Sequence, residues 1–175
     1  GPHEIITAAD RDGARRLIVD GKPVTPPDLQ LRSVIHANRN EVLFIANPID
    51  DSTVQHLWKW HRNVGLVNLV AGNVVAQAAG SSDFVITRTA HLEGSDQPWA
   101  LPSGGQLTSH SESPLCQPNV VIARGLAPEG HSLDVGIILP TTPVDGPIPV
   151  LVDPYGGPHA LRLVRSQRAH LNSQW

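Results

Sequence analysis

Glu41-Val-Leu-Phe-Ile-Ala-Asn47, Val54-Gln-His-Leu-Trp-Lys-Trp-His61 and Leu66-Val-Asn-Leu-Val70, joined by Pro48-Ile-Asp-Asp-Ser-Thr53 and Arg62-Asn-Val-Gly65, set the fold class. Each apolar run is strand-sized, rich in β-branched and aromatic residues, and bounded by Pro, Asp, Asn or Gly, which is the pattern of β-strands rather than helices. The unit reads strand, loop, strand, turn, short strand. In an extended chain alternate side chains share a face, so His56, Trp58 and Trp60 lie on one side and Leu57, Lys59 and His61 on the other. The first group reads as aromatic packing between neighbouring sheets.

The same texture runs from Glu4 to about Ala100. Further candidate strands are Glu4–Ala9, Arg16–Val19, Leu29–Ala37, Asn73–Ala79, Phe84–Thr89 and Gln97–Leu101. Between them stand Asp10-Arg-Asp-Gly13, Asp20-Gly-Lys-Pro23, Ala71-Gly72, Gly80-Ser-Ser82 and Pro102-Ser-Gly-Gly105, all tolerant of tight turns. Asn73 to about Thr108 repeats the Glu41–Val70 unit, with Pro98-Trp-Ala-Leu101 in the place of Leu57-Trp-Lys-Trp60. The repeat is on the order of 35–40 residues, close to the ~40–45 of a four-stranded propeller blade. A β-sandwich, whose strands recur at similar intervals, is the alternative architecture.

Composition narrows the function classes. The 175 residues carry 13 Lys and Arg against 16 Asp and Glu, a formal net charge of −3, with no block of like charge. No nucleic-acid footprint is expected from that balance. The 15 glycines and 16 prolines suit a turn-rich β protein. The single cysteine, Cys116, has no intrachain partner for a disulfide, and the chain opens without a basic leader or an apolar run of signal length, so a cytoplasmic protein is expected. No apolar stretch reaches the ~20 residues of a membrane helix, so no membrane partner is expected either. Methionine is absent, so Gly1 is what remains after initiator removal, a tag scar (Gly1-Pro2), or the edge of a piece taken from something longer.

Beyond the polar connector Thr108–Pro118 the texture changes. Val120–Ala123, Leu133–Leu139 and Ile148–Val152 are apolar strands separated by Pro and Gly loops. A continuous run such as Ile148–Val152 suits a strand covered on both faces, as in an α/β sheet. The tail Leu161–Trp175 places Leu161, Val164, Arg168 and Leu171 at helical spacing, and part of it is expected to be helical. Arg162, Arg165 and Arg168 would form its solvated basic face.

Ile148-Pro-Val-Leu-Val-Asp-Pro-Tyr-Gly-Gly-Pro-His159, with Ser173-Gln-Trp175 after it, resembles the prolyl oligopeptidase family of serine peptidases, in its dipeptidyl peptidase IV-like branch. The resemblance implies a mainly β chain: a partial β-propeller of about two to three blades over residues 1–113, then the first strands of an α/β-hydrolase domain over 114–175. It also implies a role for the loop. Acyl transfer builds negative charge on a carbonyl oxygen, and catalysis needs donors fixed where that charge develops. By resemblance the phenol of Tyr155 is such a donor in the complete enzyme. Gly156 and Gly157 would allow close approach to substrate, with Pro154 and Pro158 stiffening the loop. Read without the family, the same residues make a Pro-Gly turn closing a strand, with Tyr155 as its packing aromatic.

The remaining machinery of that family is absent from these 175 residues. There is no Gly-x-Ser-x-Gly nucleophile elbow, and the triad Ser, Asp and His of the family lies downstream of the Tyr loop. Nothing matches the acidic pair that holds a substrate's amino terminus. The implied parent hydrolyses peptides, releasing dipeptides after Pro or Ala, with a peptide substrate and no cofactor. This chain alone is expected to be inactive. A second function class is a non-catalytic β-rich protein that binds a partner, forms a homo-oligomer or pairs with a complementing fragment, because a few blades cannot close a ring.

Other constellations are weaker. His56 and His61 lack the flanking ligand pattern of a zinc site, and no metal is expected. Ser109-His-Ser-Glu112 contains triad residue types, but a triad converges from separate loops, not from four neighbours. Cys116 has no local positive partner that would activate a thiolate.

Overall fold

β1 (Ile6–Arg11) and β2 (Ala14–Val19) close over Asp12-Gly13, and β3 (Lys22–Pro23) returns on β2 over Asp20-Gly21. Both dipeptides hold positive φ at both positions, 54° and 81° in the first and 51° and 77° in the second. That is the backbone a two-residue hairpin of the type I′ class demands, and Asp-Gly is among the pairs that adopt it most readily. The computed structural model describes residues 6–94, 97–110, 112–154 and 161–174. Among the described residues the chain is mainly β, arranged as several small antiparallel sheets with no closed barrel.

The second sheet is a four-stranded meander of β4 (Leu29–Ala37), β5 (Glu41–Pro48), β6 (His56–His61) and β7 (Gly65–Val70), each strand paired with the next. It begins one strand earlier than the unit read from Glu41. The third sheet pairs β8 (Val75–Gly80) with β9 (Val85–Ala90). It continues the meander only by single rungs, Thr87 with Ala100 and Ala100 with Gln106. The expected strand Gln97–Leu101 is thus reduced to one bridged residue, flanked by a backbone bond from the Gln97 amide to Thr89 O at 3.0 Å.

The three sheets stack, and β5 is the reason they do so. Val42, Phe44 and Ala46 point into a cluster with Leu17, Val19, Leu29, Leu31 and Trp60, against which Ile6, Val24 and Trp58 pack. Leu43 and Ile45 point the other way, into a cluster with Leu57 and Ala76 that Ile35, Val70, Ala78 and Val85 complete. The first cluster joins the middle sheet to the first, and the second joins it to the third. Period-2 alternation in β5 and β6 therefore serves two interfaces at once. Trp58 and Trp60 share the face expected from the sequence, opposite Leu57. A parallel bridge from Gln55 to Val75, with the Ala76 amide donating to Gln55 O at 2.7 Å, ties the third sheet to the middle one.

The connector 112–118 is irregular. After it, β10 (Asn119–Leu126) and β11 (Ser132–Leu139) form a two-stranded hairpin in unbroken register. Its Val120, Ile122 and Ile138 are partly buried, whereas Val121, Leu133, Val135, Ile137 and Leu139 are exposed. Gly136 belongs to the covered face, where a Cβ would stand 2.6 Å from the Leu163 side chain. The chain then returns to the third sheet, and Val164 packs with Val75 and Ala90.

One expectation for the second half needs correction. Ile148–Val152 is not a strand covered on both faces; it pairs with no strand and is exposed along its length. Pro149 removes a ladder donor from its middle, and no neighbouring strand lies beside it among the described residues. The tail is helical in part, as expected, over a 3₁₀ turn, Gln167–His170, and α1, Leu171–Gln174. Upstream of it, the Arg165 amide donates to Thr53 O at 2.7 Å. No helix among the described residues is long and apolar enough to cross a membrane.

Candidate functional site

The loop singled out by sequence begins at Pro154, which is exposed; Tyr155, Gly156, Gly157 and Pro158 lie outside the described residues. Its base is defined on both sides. Arg162 Nη2 donates to Asp153 Oδ2 at 2.6 Å and Arg162 Nη1 to Asp153 Oδ1 at 3.1 Å, a fork-to-fork pair that brings the two ends of the loop together. Two parallel charge-assisted bonds fix orientation as well as distance. Arg162 is therefore tied to the chain that enters the loop rather than being one of three equivalent solvated arginines.

A second constellation forms where the β5–β6 loop, the β10–β11 hairpin and the chain after Leu163 meet. Asn47 Nδ2 donates to Asp51 O at 3.1 Å, and Asp51 Oδ1 accepts from the Thr53 amide at 2.9 Å and from Thr53 Oγ1 at 2.6 Å. These bonds shape the loop into a fixed platform. Arg165 Nε then donates to Thr53 Oγ1 at 3.1 Å. From the hairpin, Arg124 donates to Asp134 Oδ1 at 2.9 Å and to Asp50 O at 2.6 Å, and Ser52 Oγ donates to Asp134 Oδ2 at 3.3 Å. The Asp134 hydrogen bond and then its charge, with smaller contributions from Asp51 and Asp50, hold the Arg124 guanidinium above its ordinary value against desolvation. A cavity of about 320 Å³ lies between these elements, lined by Asp51, Thr53, Ile122, Ala123, Arg124, Asp134 and Arg165.

None of these residues except Arg165 had been singled out from sequence. A usable signal existed. Counting outward from the five-residue loop Ala127-Pro-Glu-Gly-His131 sets Leu126 opposite Ser132 and Arg124 opposite Asp134, as the structure does, and opposed charges on paired strands attract.

A third group gathers at the far end of the middle sheet. Ser82 Oγ stands 3.2 Å from His36 Nε2 and accepts from Asn38 Nδ2 at 2.6 Å, while Lys59 Nζ lies 2.5 Å from Glu41 Oε2. Serine, histidine and a carboxylate thus converge. Glu41, however, bonds Ser82 and not the second imidazole nitrogen, so the acid cannot orient the base as a triad requires. The cluster instead fastens the β8–β9 turn onto the middle sheet. Burial raises the Glu41 carboxyl, but the hydrogen bonds from Lys59 and Ser82 and the charges of Lys59 and His36 outweigh it, so its value falls below the ordinary one.

His56 Nε2 is 2.8 Å from Gly72 O, and His61 Nδ1 accepts from the Asn63 amide at 3.2 Å. They sit on opposite faces of β6 and cannot share an ion. Ser109 and His110 are exposed in irregular chain, with Ser111 outside the described residues, and Cys116 is partly buried. No protein-family model matches this chain, and no curated protein matches it.

Proposed function

We propose that the chain is the junction region of a dipeptidyl peptidase IV-like serine peptidase, its stacked meanders being propeller blades and its residues from about 114 the opening of the hydrolase domain. The observation that carries the reading is the order of parts. Antiparallel meanders stacked through β5 are followed by a polar connector, a strand hairpin, and then Pro154-Tyr-Gly-Gly-Pro158 with its base held by Asp153 and Arg162.

In the parent enzyme the phenol of Tyr155 would donate to the oxygen that gains charge as a peptide carbonyl becomes tetrahedral. The Asp153–Arg162 fork would hold the loop so that this donor needs no reorganisation at the moment of reaction. The nucleophile, its base and the base's acid belong to chain beyond these residues, and the isolated chain should neither label with a fluorophosphonate nor cleave an Xaa-Pro substrate. The decisive experiment is Tyr155→Phe in the full-length parent. The phenylalanine ring keeps the packing and removes one donor, so kcat should fall ~10²–10³-fold. A fall of less than about threefold at unchanged thermal stability would reduce the segment to a structural turn.

A second reading, a non-catalytic protein that binds partners or its own copies, is favoured by one observation: Val121, Leu133, Val135, Ile137 and Leu139 form an exposed apolar hairpin face. Sedimentation separates the two. Under this second reading the isolated chain forms defined oligomers, which a compact monomer at all concentrations would contradict.

A further inference from the structure

The cavity between the β5–β6 loop, the hairpin and Arg165 is lined by two cationic and two anionic side chains, and their partners divide them into two kinds. Arg124 and Asp134 satisfy one another, with Asp50 O and Ser52 completing the set. They are structural. Asp51 and Arg165 are each satisfied on one side only. Both bonds to Asp51 fall on Oδ1, and Arg165 is held through Nε. Among the described residues Asp51 Oδ2 and both terminal nitrogens of Arg165 have no hydrogen-bond partner. One carboxylate oxygen and one guanidinium fork are thus presented by groups whose other ends are pinned to the same Thr53.

We propose that this cleft binds a small zwitterion, an α-amino acid or a short peptide with free ends, its ammonium on Asp51 and its carboxylate on Arg165. Charge selects this class. A simple anion would meet Asp51 and Asp134, and a simple cation would meet Arg124 and Arg165, whereas a ligand carrying both signs matches each with its opposite. Size agrees, since about 320 Å³ is at the small end of the ~300–1,000 Å³ of ligand sites. Ile122 and Ala123 supply an apolar wall for a short side chain. Preorganisation agrees as well. Thr53 fixes both charged groups before a ligand arrives, which lowers the ordering cost of binding. The inference does not rest on the peptidase reading, because neither Tyr155 nor a nucleophile takes part.

The test is a ¹⁵N–¹H titration of the full chain with four probes: alanine, Ala-Ala, N-acetyl-Ala-Ala and Ala-Ala amide. Saturable shifts at the amides of residues 51–53, 122–124 and 165 are expected with alanine or Ala-Ala, the tighter of the two identifying free amino acid or peptide as the source. Each blocked peptide should bind at least tenfold more weakly than Ala-Ala. Asp51→Asn keeps the Oδ1 acceptor that shapes the loop and removes the charge, so it should abolish the discrimination against the acetylated probe. Arg165→Met should abolish that against the amide, and Arg165→Lys, which keeps charge without the fork, serves if the methionine variant misfolds. Blocked peptides binding as tightly as Ala-Ala, or no saturable shift at these amides with any probe, would overturn the proposal.

Discussion

Val42-Leu-Phe-Ile-Ala46 and Ile148-Pro-Val-Leu-Val152 are two apolar runs of the same length with opposite fates. In the first, no residue is more than 6% exposed; in the second, Val150 is 82% and Leu151 94% exposed. Hydrophobicity is nearly matched, so composition does not explain the difference. Neighbours do. Val42–Ala46 lies between two paired strands and beneath two sheets, so its backbone groups are satisfied laterally and both faces are covered. Ile148–Val152 has neither, and Pro149 withholds a donor that pairing would need. An apolar run states a demand for burial, and the rest of the fold decides whether it is met.

The comparison can be broken hardest at the centre of β5. Phe44→Ala opens a cavity in a fully buried site shared by two sheets, and should cost about 3–5 kcal/mol, read as a lowered urea midpoint. Next comes Gly80, which has φ of 138° and where a Cβ would fall 2.0 Å from Phe84 O. Gly80→Ala should cost roughly 1–3 kcal/mol by forcing the β8–β9 turn off the middle sheet, and exchange protection should fall in the third sheet more than in the first. A smaller effect concerns Glu41. Because its folded value lies below its unfolded one, its contribution is present above the unfolded carboxyl value of about 4.3 and is lost as pH falls through the folded value. Stability should therefore decline in that acid window, and Lys59→Met should flatten the decline in proportion to the lost ion pair. The smallest effect belongs to the other run. Leu151→Ser should change stability by less than about 0.5 kcal/mol, and a larger loss would mean that Ile148–Val152 is covered in solution.

What was legible in the sequence was local. Asp12-Gly13 and Asp20-Gly21 announced their turns because few other dipeptides adopt positive φ twice in succession. Leu57 and Trp58 announced opposite faces because strand geometry leaves no other option. The existence of β4 to β9 followed from apolar runs between breakers. The mainly β class was readable for the same reason, whereas the number of strands per sheet was not: Leu29–Ala37 looks alike whether it ends one sheet or begins the next. The candidate sites depend on pairs remote in sequence. His36 and Ser82, or Thr53 and Arg165, meet only because sheets stack and the tail returns, and no spacing rule encodes that. Ile148–Val152 misled because its apolar run outweighed Pro149, the one residue in it that argues against a central strand. Tyr155, the residue on which the sequence reading placed most weight, lies outside the described residues.

The fork between Asp153 and Arg162 has a consequence for how this region can vary. A loop whose ends are already held pays for additional residues only through the logarithm of its length, about 0.6 kcal/mol for each doubling. Added length between Asp153 and Arg162 is therefore cheap for folding, whatever chemistry constrains the residues themselves. Replacing either member of the fork transfers that closure cost back to the whole chain.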